Sequence, residues 1–407
     1  MIENINIKIS IIAVIFSVSF WFIYLSTDGS FMMQTLFPLI LLLGAIYILG
    51  KKITFKIEKN DMLLFILFLI FVIVTTLNCC IHIEYISYDV ITGLIYFGAI
   101  FLWFFLISKH SFNKKEIKFI INSLICFSIV TSLQVIYMYY IGENGKISVI
   151  SVFGKKIDAN YFSALASIIS NFILLKILFS KSKNKIMLII SSIAFILTIF
   201  SITLSGSRAA LISLIFSNLI ILIQFFFKKF NLKKVVIICI GTIVLIIILK
   251  FISSVLPTWL FNRYFVNSYS DKSNNERIEL WKNAFDGILE QPIGYGFGIF
   301  DKLPEHNQIS TGRYVPATVP AHNTYLDILI YGGILGGIVF AIFLLNVFKG
   351  FFIGKNRILI PVILNLLFTS IVLGADKAVY FWNTIILLNI IYKYIQKNVM
   401  NFFYEEE

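Results

Sequence analysis

Long apolar runs alternate with short polar connections along most of the chain. A bilayer core needs about 20 apolar residues per helix, and on that rule the sequence predicts twelve membrane spans. The predicted spans are residues 9–25, 32–50, 62–77, 89–107, 117–141, 159–179, 186–204, 208–227, 235–252, 324–348, 358–373 and 379–395. We therefore expect an all-α fold, a polytopic membrane helix bundle of about twelve transmembrane helices.

One long polar interruption, residues 253–323, contains five of the seven prolines and several aromatic residues. Loops of this length are usually functional or disordered, and the aromatic residues argue against disorder. The pattern predicts a large, partly helical extracytoplasmic loop domain. It divides the chain into an N-terminal bundle of spans 1–9 (residues 1–252), the loop domain (253–323), and spans 10–12 with a cytoplasmic tail (324–407).

Within this loop, the pattern predicts an amphipathic helix that begins near Asn275 and stops before Pro292. Arg277 projects onto the middle of its apolar half. That half is formed by Ile278, Leu280, Trp281, Ala284, Phe285, Ile288 and Leu289. A charge on an apolar surface needs a partner.

Composition and charge narrow the class of protein. The hydrophobic fraction of 59% and mean hydropathy of +0.91 exceed the roughly 45 to 50% apolar content of soluble domains. The net charge of +13 comes from short lysine clusters in alternate connections, which by the positive-inside rule places both termini in the cytoplasm. Because these clusters form no continuous basic face, we exclude nucleic acid as a partner and expect contact with anionic membrane lipids.

Several familiar kinds of site are missing from the sequence. The four cysteines have no metal-ligand spacing, and no Asp-x-Asp pair occurs. Gly294, Gly296 and Gly298 follow a helix and no strand, which favours a tight turn over a dinucleotide loop. We therefore expect no metal and no cofactor.

Three side chains at the predicted outer face suit chemistry. Arg208 and Arg277 each fall in the first turn of a predicted helix, where unpaired N–H groups and the helix dipole favour an anion. Both could instead be arginines anchored at lipid headgroups. His322 immediately precedes a span and could accept a proton at physiological pH, whereas His306, in the same His-Asn dipeptide, lies in mid-loop.

Two arginines and a histidine at one membrane face indicate a reaction class. Arginine binds phosphate bidentately, and histidine can take the proton from an attacking sugar hydroxyl. A lipid diphosphate presents its anionic leaving group at headgroup depth. The combination predicts glycosyl transfer from a lipid diphosphate without a metal ion.

The motifs that carry these residues resemble the O-antigen ligase and O-antigen polymerase superfamily of bacterial membrane glycosyltransferases. The similar segments are Asp158-Ala159-Asn160-Tyr161, Ser205-Gly206-Ser207-Arg208, Arg277 with Trp281, the Pro292 to Gly298 motif, and His322-Asn323 followed by Gly333-x-x-Gly336. The resemblance covers about residues 155–350. It implies an undecaprenyl-diphosphate-linked glycan as donor, His322 as the activating base, and Arg208 and Arg277 as diphosphate ligands.

The resemblance also implies that Asn160, Trp281, Asn323 and Tyr325 help to bind substrate, at the extracytoplasmic face of the bacterial inner membrane. We favour a polymerase, whose acceptor is another lipid-linked repeat. A chain-length regulator is a possible partner of such a polymerase. The alternative is a ligase that transfers the glycan to lipid A core. A polysaccharide transporter or flippase is the alternative of another class, disfavoured because the predicted spans hold few ionisable residues.

Overall fold

The structure is a computed structural model. It describes residues 9–25, 40, 44, 59–142, 147–150, 156–179, 184–227, 258–262, 264, 272–300, 321–353, 357–374 and 378–398. The predicted span 235–252 lies outside these residues, as do His306 and all of the predicted span 32–50 except Ile40 and Gly44.

The described chain is helical and carries no strand, so the all-α prediction is confirmed for these residues. We number the helices as follows: α1 Ile11–Leu25, α2 Lys59–Ile81, α3 Tyr88–Ser108, α4 Lys114–Tyr140, α5 Ala159–Phe179, α6 Lys185–Leu204, α7 Arg208–Phe227, α8 Thr258–Phe261, α9 Lys272–Glu290, α10 Thr324–Ile353, α11 Ile360–Ile371 and α12 Val379–Asn398. Short 3₁₀ turns precede α3 and α11.

Seven of these helices, α2 to α7 and α10, are long and apolar enough to cross a membrane. The chain is therefore a multi-pass membrane protein. The predicted number of about twelve spans is larger than the described residues establish. Of the large predicted loop, they include α8, α9 and the turns that follow α9. The amphipathic helix is present as α9, but it begins at Lys272 and not near Asn275, so the prediction that Arg277 lies in its first turn is wrong.

Buried polar side chains hold α5, α7 and α11 together. Asn365 of α11 donates to Asn171 Oδ1 at 2.6 Å and accepts from Ser213 Oγ at 2.7 Å and Ser167 Oγ at 3.0 Å. All four residues are almost fully buried. Such bonds specify which helices pair, because apolar surfaces alone discriminate weakly between neighbours in lipid.

A second contact of this kind joins α1, α3 and α12. Asn383 accepts from Trp103 Nε1 at 3.0 Å and donates to Ser19 Oγ at 2.8 Å. Lys393 of α12 pairs with Asp61 of α2 and donates to the carbonyl of Ser108. These contacts fix the bundle near α12.

Helix α10 is broken at Gly333, which has φ 62° and ψ −165°. This backbone conformation is essentially restricted to glycine. The apolar pattern of the predicted span 324–348 does not reveal this break. Gly332 and Gly336 do lie close to Phe71 of α2, as close packing requires.

The segment 292–298 fills the break in α10. The Tyr295 and Gly296 N–H groups donate to the carbonyls of Ile330 and Tyr331 at 2.8 and 3.0 Å, and the Ile334 N–H donates to the Pro292 carbonyl at 2.9 Å. A membrane helix tolerates a break when other groups pair with the freed backbone atoms. The predicted tight turn at the three glycines is confirmed: each has a positive φ, and the turn closes the break.

Candidate functional site

The site begins at the N-terminus of α10. Asn323 caps this helix, since its Oδ1 accepts from the N–H groups of Tyr325 at 3.0 Å and Leu326 at 3.3 Å. His322, the residue before the cap, has φ 52°. Among the described residues it is the one non-glycine residue with a positive φ. Strained backbone of this kind is concentrated at functional sites.

Asp327, in the first turn of α10, holds the segment that leads into His322. Its Oδ1 accepts a hydrogen bond from the Ala321 N–H at 3.1 Å. The residue is 1% exposed. Because buried polar groups pair with hydrogen-bond partners, this bond fixes the backbone that enters His322.

The C-terminal end of α11 holds the same segment from another side. Thr324 donates through both its N–H and its Oγ1 to the carbonyl of Leu373, at 3.1 and 2.7 Å. Tyr325 donates its hydroxyl to the carbonyl of Leu367 at 3.0 Å. These bonds attach the start of α10 to the C-terminal part of α11 and to the residue two positions beyond its end.

Helix α9 brings Arg277 to this region. Trp281, one helical turn after Arg277, donates its indole Nε1–H to the carbonyl of Ala321 at 3.0 Å. Residues four apart lie on one face of a helix, so Arg277 lies on the face of α9 that meets the His322 segment. Arg277 and Trp281 are half-buried. The sequence-based placement of Arg277 among apolar residues agrees with this.

The start of α5 contacts the end of α11. Asp158 caps α5 by accepting from the N–H groups of Asn160 and Tyr161 at 2.6 and 3.4 Å. Tyr161 donates its hydroxyl to the carbonyl of Gly374 at 3.1 Å, next to the Leu373 carbonyl that binds Thr324. The Asn160 segment is thereby joined to the His322 segment through residues 373 and 374.

Arg208 is the first residue of α7 and is half-buried. The turn before it is fixed by Ser205, whose Oγ accepts from Ser163 Oγ of α5 at 2.6 Å and from the Ser207 N–H at 3.3 Å. The N-terminus of α7 therefore lies beside the N-terminal part of α5. Two helix starts that favour anions meet here.

A connected set of hydrogen bonds thus links every segment that carries a predicted site residue. It runs from Trp281 to Ala321, through α10 to Leu373 and Gly374, then to Tyr161 and, through α5, to Ser205. His322 is joined most closely to the Arg277 helix. The connection from His322 to Arg208 runs through α5 and α11.

Three residues that contact this region, Asp327, Asn78 and Cys79, were not among the site residues predicted from the sequence. Asp327 follows His322 by five residues as an acidic residue in the first turn of a helix, which could have indicated its role. Asn78 donates from Nδ2 to the carbonyls of Ile293 and Tyr331, at 2.8 and 3.0 Å. Cys79 accepts from the Phe297 N–H at 3.2 Å. No local pattern predicts these two contacts.

Among the described residues, no three His, Cys, Asp or Glu side chains come together as ligands for a metal ion. The region contains Arg208 at the N-terminus of α7, Arg277 in the second turn of α9, a histidine in a fixed turn, and buried polar side chains that hold these segments together.

Residues 193–341 match the sequence model of a protein family described as O-Antigen ligase. These residues, which we call the ligase-family segment, are similar to the O-antigen ligase family. The ligase-family segment contains α7, α9, the 292–298 turn and the first half of α10, and with them Arg208, Arg277 and His322. The resemblance inferred from the motifs is confirmed. Asn160 lies before the matched residues.

A curated relative supports the same family. The chain is 30% identical over 198 residues to the ComP-specific O-oligosaccharyltransferase of Acinetobacter baylyi (strain ATCC 33305 / BD413 / ADP1). The match covers 46% of this chain and 33% of that protein. The chain therefore spans about a third of the length of the curated relative that it matches.

Proposed function

We propose that the chain is a membrane glycosyltransferase of the ligase type, which moves a glycan from a lipid diphosphate carrier to an acceptor hydroxyl. The observation that carries the proposal is the hydrogen bond from Trp281 to Ala321. It joins the helix of Arg277 to the turn of His322 inside the ligase-family segment. A base and a phosphate ligand on adjoining segments are what this transfer needs.

The proposed reaction assigns a role to each charged residue. His322 accepts the proton of the acceptor hydroxyl as its oxygen attacks the anomeric carbon of the donor sugar. The bond from that carbon to the diphosphate oxygen breaks, and the carrier leaves as a lipid diphosphate. Arg208 and Arg277 stabilise the charge that develops on the diphosphate, assisted by the N-terminus of α7, where Arg208 is the first residue.

The remaining site residues are assigned by their contacts. Asn323 and Tyr325 shape the site, because the Asn323 Oδ1 caps α10 and the Tyr325 hydroxyl binds the carbonyl of Leu367. Trp281 offers its half-buried ring beside the His322 turn, and sugars bind well on aromatic rings of this kind. Asn160, at the start of α5, is the amide we assign to glycan binding.

The acceptor separates the two forms of this function. The family description and the name of the Acinetobacter relative both favour a ligase-type transfer. The name of that relative specifies ComP, so a protein acceptor belongs among the candidates beside lipid A core. Polymerisation, with a second lipid-linked repeat as acceptor and a chain-length regulator as partner, is the remaining form.

For localisation, we propose the bacterial inner membrane with both termini in the cytoplasm. Lys349 lies near the C-terminal end of α10, opposite to the end that follows His322, and Lys185 begins α6, opposite to the end that leads to Arg208. The positive-inside rule then places the site on the extracytoplasmic face. The donor would be an undecaprenyl-diphosphate-linked glycan.

The test uses the full chain in proteoliposomes with a labelled undecaprenyl-diphosphate-linked glycan. Separate reactions receive lipid A core, a protein acceptor, or excess lipid-linked glycan alone, each with and without a chelator. Transfer to one of the first two acceptors identifies a ligase, and growth of the glycan on its carrier identifies a polymerase. Carrier diphosphate must be released in step with transfer.

Two outcomes contradict the proposal. One is that the glycan crosses the membrane still attached to its carrier and no glycosidic bond forms, which would indicate a transporter. The other is that the chelator abolishes transfer and a divalent cation restores it. The second outcome would leave glycosyl transfer in place and refute its metal-free mechanism.

A further inference from the structure

Helix α9 has a face that packs against the protein. Ala284 is 0% exposed and Ile288 is 8% exposed. Trp281 is on the same side and reaches the carbonyl of Ala321. This buried face lies against α10.

A second apolar face of α9 is not covered by the described protein. Ile278, Phe285 and Leu289 are 49%, 57% and 64% exposed. They are seven and eleven residues apart, so they form one stripe within about 40° of the helix circumference. The sequence placed them in the same apolar half as Ala284 and Ile288, and the structure divides that half in two.

The third face of α9 is polar. It carries Glu279, Asn283, Asp286 and Glu290, and Lys282 lies between this face and the exposed stripe. Around the helix the order is buried face, exposed apolar stripe, polar face. A helix lying flat at a membrane beside a protein needs this order, because its sides meet protein, lipid and water.

The exposed stripe leads to the surface of a membrane-length helix. Just beyond α9, the Pro292 carbonyl accepts from the Ile334 N–H of α10 at 2.9 Å, and Ile293 is 61% exposed. From Ile334 onwards, α10 exposes apolar side chains on one side, with Leu335 at 57% and Ile338 at 52%. An exposed apolar surface on a membrane span is a surface for lipid.

We infer that α9 lies in the membrane interface, with Ile278, Phe285 and Leu289 inserted among the lipid acyl chains. Lys282, at the border of the stripe, reaches lipid phosphates with its ammonium group while its stem stays in the apolar layer. The partner of this surface is therefore the bilayer itself. The inference concerns membrane attachment and holds whether or not the chain transfers glycans.

This attachment would place Arg277 at headgroup depth. Arg277 lies on the buried face of α9, a quarter-turn from the stripe, so its height relative to the bilayer is set by the stripe. A diphosphate on a membrane-anchored carrier is found at the same depth. The inserted helix would thus hold the Arg277 guanidinium at the same depth as the diphosphate of a membrane-anchored carrier.

The experiment measures the depth of spin labels on the full chain in nanodiscs of phosphatidylethanolamine and phosphatidylglycerol. Cys80, Cys126 and Cys239 are first replaced by serine, and a sample without an added cysteine gives the background from the buried Cys79. Single cysteines are then placed by Phe285→Cys and Leu289→Cys on the stripe. The matched controls are Asn283→Cys and Glu290→Cys on the polar face of the same helix.

The expected result is that labels at 285 and 289 collide with oxygen at least several-fold more often than with a water-soluble nickel chelate. Labels at 283 and 290 should show the reverse. Equal access to the nickel chelate at all four positions would overturn the inference. So would labels at 285 and 289 that neither reagent reaches, because protein and not lipid would then cover the stripe.

Discussion

Trp281 and Ala321 are joined by a hydrogen bond of 3.0 Å from the indole N–H to the backbone carbonyl. The bond crosses from α9 to the residue before His322. One turn of helix separates Trp281 from Arg277, so this single contact fixes the guanidinium-bearing helix against the histidine-bearing turn.

Trp281→Phe should remove that bond and keep most of the ring contact. A hydrogen bond of this kind contributes about 1 kcal/mol, so we expect roughly a five-fold loss of transfer rate. The measurement is the initial rate in proteoliposomes at equal protein. Trp103→Phe is the control, because it removes an indole bond to Asn383 elsewhere in the bundle. Equal losses of rate in both variants would show that Trp281 is merely structural.

Gly333→Ala should destabilise the fold. The glycine-only conformation costs roughly 1 to 3 kcal/mol for another residue, and the added Cβ would overlap the Ile293 carbonyl. The melting temperature in detergent should fall by several degrees. Gly98→Ala is the matched control, because an added Cβ meets nothing within 4 Å there. Unchanged melting of the Gly333 variant would mean that the break in α10 is not required.

Asn78→Asp should be more harmful than Asn78→Ala. The amide donates to two carbonyls, of Ile293 and Tyr331, and a carboxylate would present only acceptors to both. The Tyr331 carbonyl keeps its bond from the Gly296 N–H, but loss of the amide donor to the Ile293 carbonyl costs about 1 to 3 kcal/mol, so both variants should melt earlier than the parent. Asn346→Asp, on an exposed part of α10, should melt like the parent. The prediction fails if the aspartate variant melts like the parent.

His322→Ala should abolish most transfer. General base catalysis contributes about 10² to 10⁴-fold, so the rate should fall by at least one hundred-fold while membrane insertion and melting temperature are retained. His306→Ala tests the other His-Asn dipeptide and should retain activity. Wild-type rate in the His322 variant would remove the proposed base.

Arg277→Lys and Arg208→Lys should retain more activity than the corresponding glutamine variants. Lysine keeps the charge and loses the bidentate geometry. We expect the glutamine variants to lose rate at saturating donor, because the diphosphate charge is greatest as the carrier leaves. Kinetics over a range of donor concentrations measure this. A loss confined to donor affinity would assign the arginines to ground-state binding alone.

The sequence by itself determined the local structure of this protein. Helix α5 has the predicted bounds 159–179, α7 begins at Arg208 as predicted, and His322 directly precedes the cap of α10. Apolar length and helix caps are properties of neighbouring residues, so a single segment contains the information. The motifs around Arg208, Arg277 and His322 also sufficed to indicate the family that the match over 193–341 confirms.

Tertiary structure alone decided how those segments meet. Asn78 binds carbonyls 215 and 253 residues further along the chain, and only that packing shows why Gly333 breaks its helix. Likewise, periodicity gives Phe285 and Ala284 the same apolar character, and only the position of α10 leaves the first exposed and buries the second. The hydrophobic pattern is a property of one helix, whereas the burial of each side chain depends on which other helix packs against it.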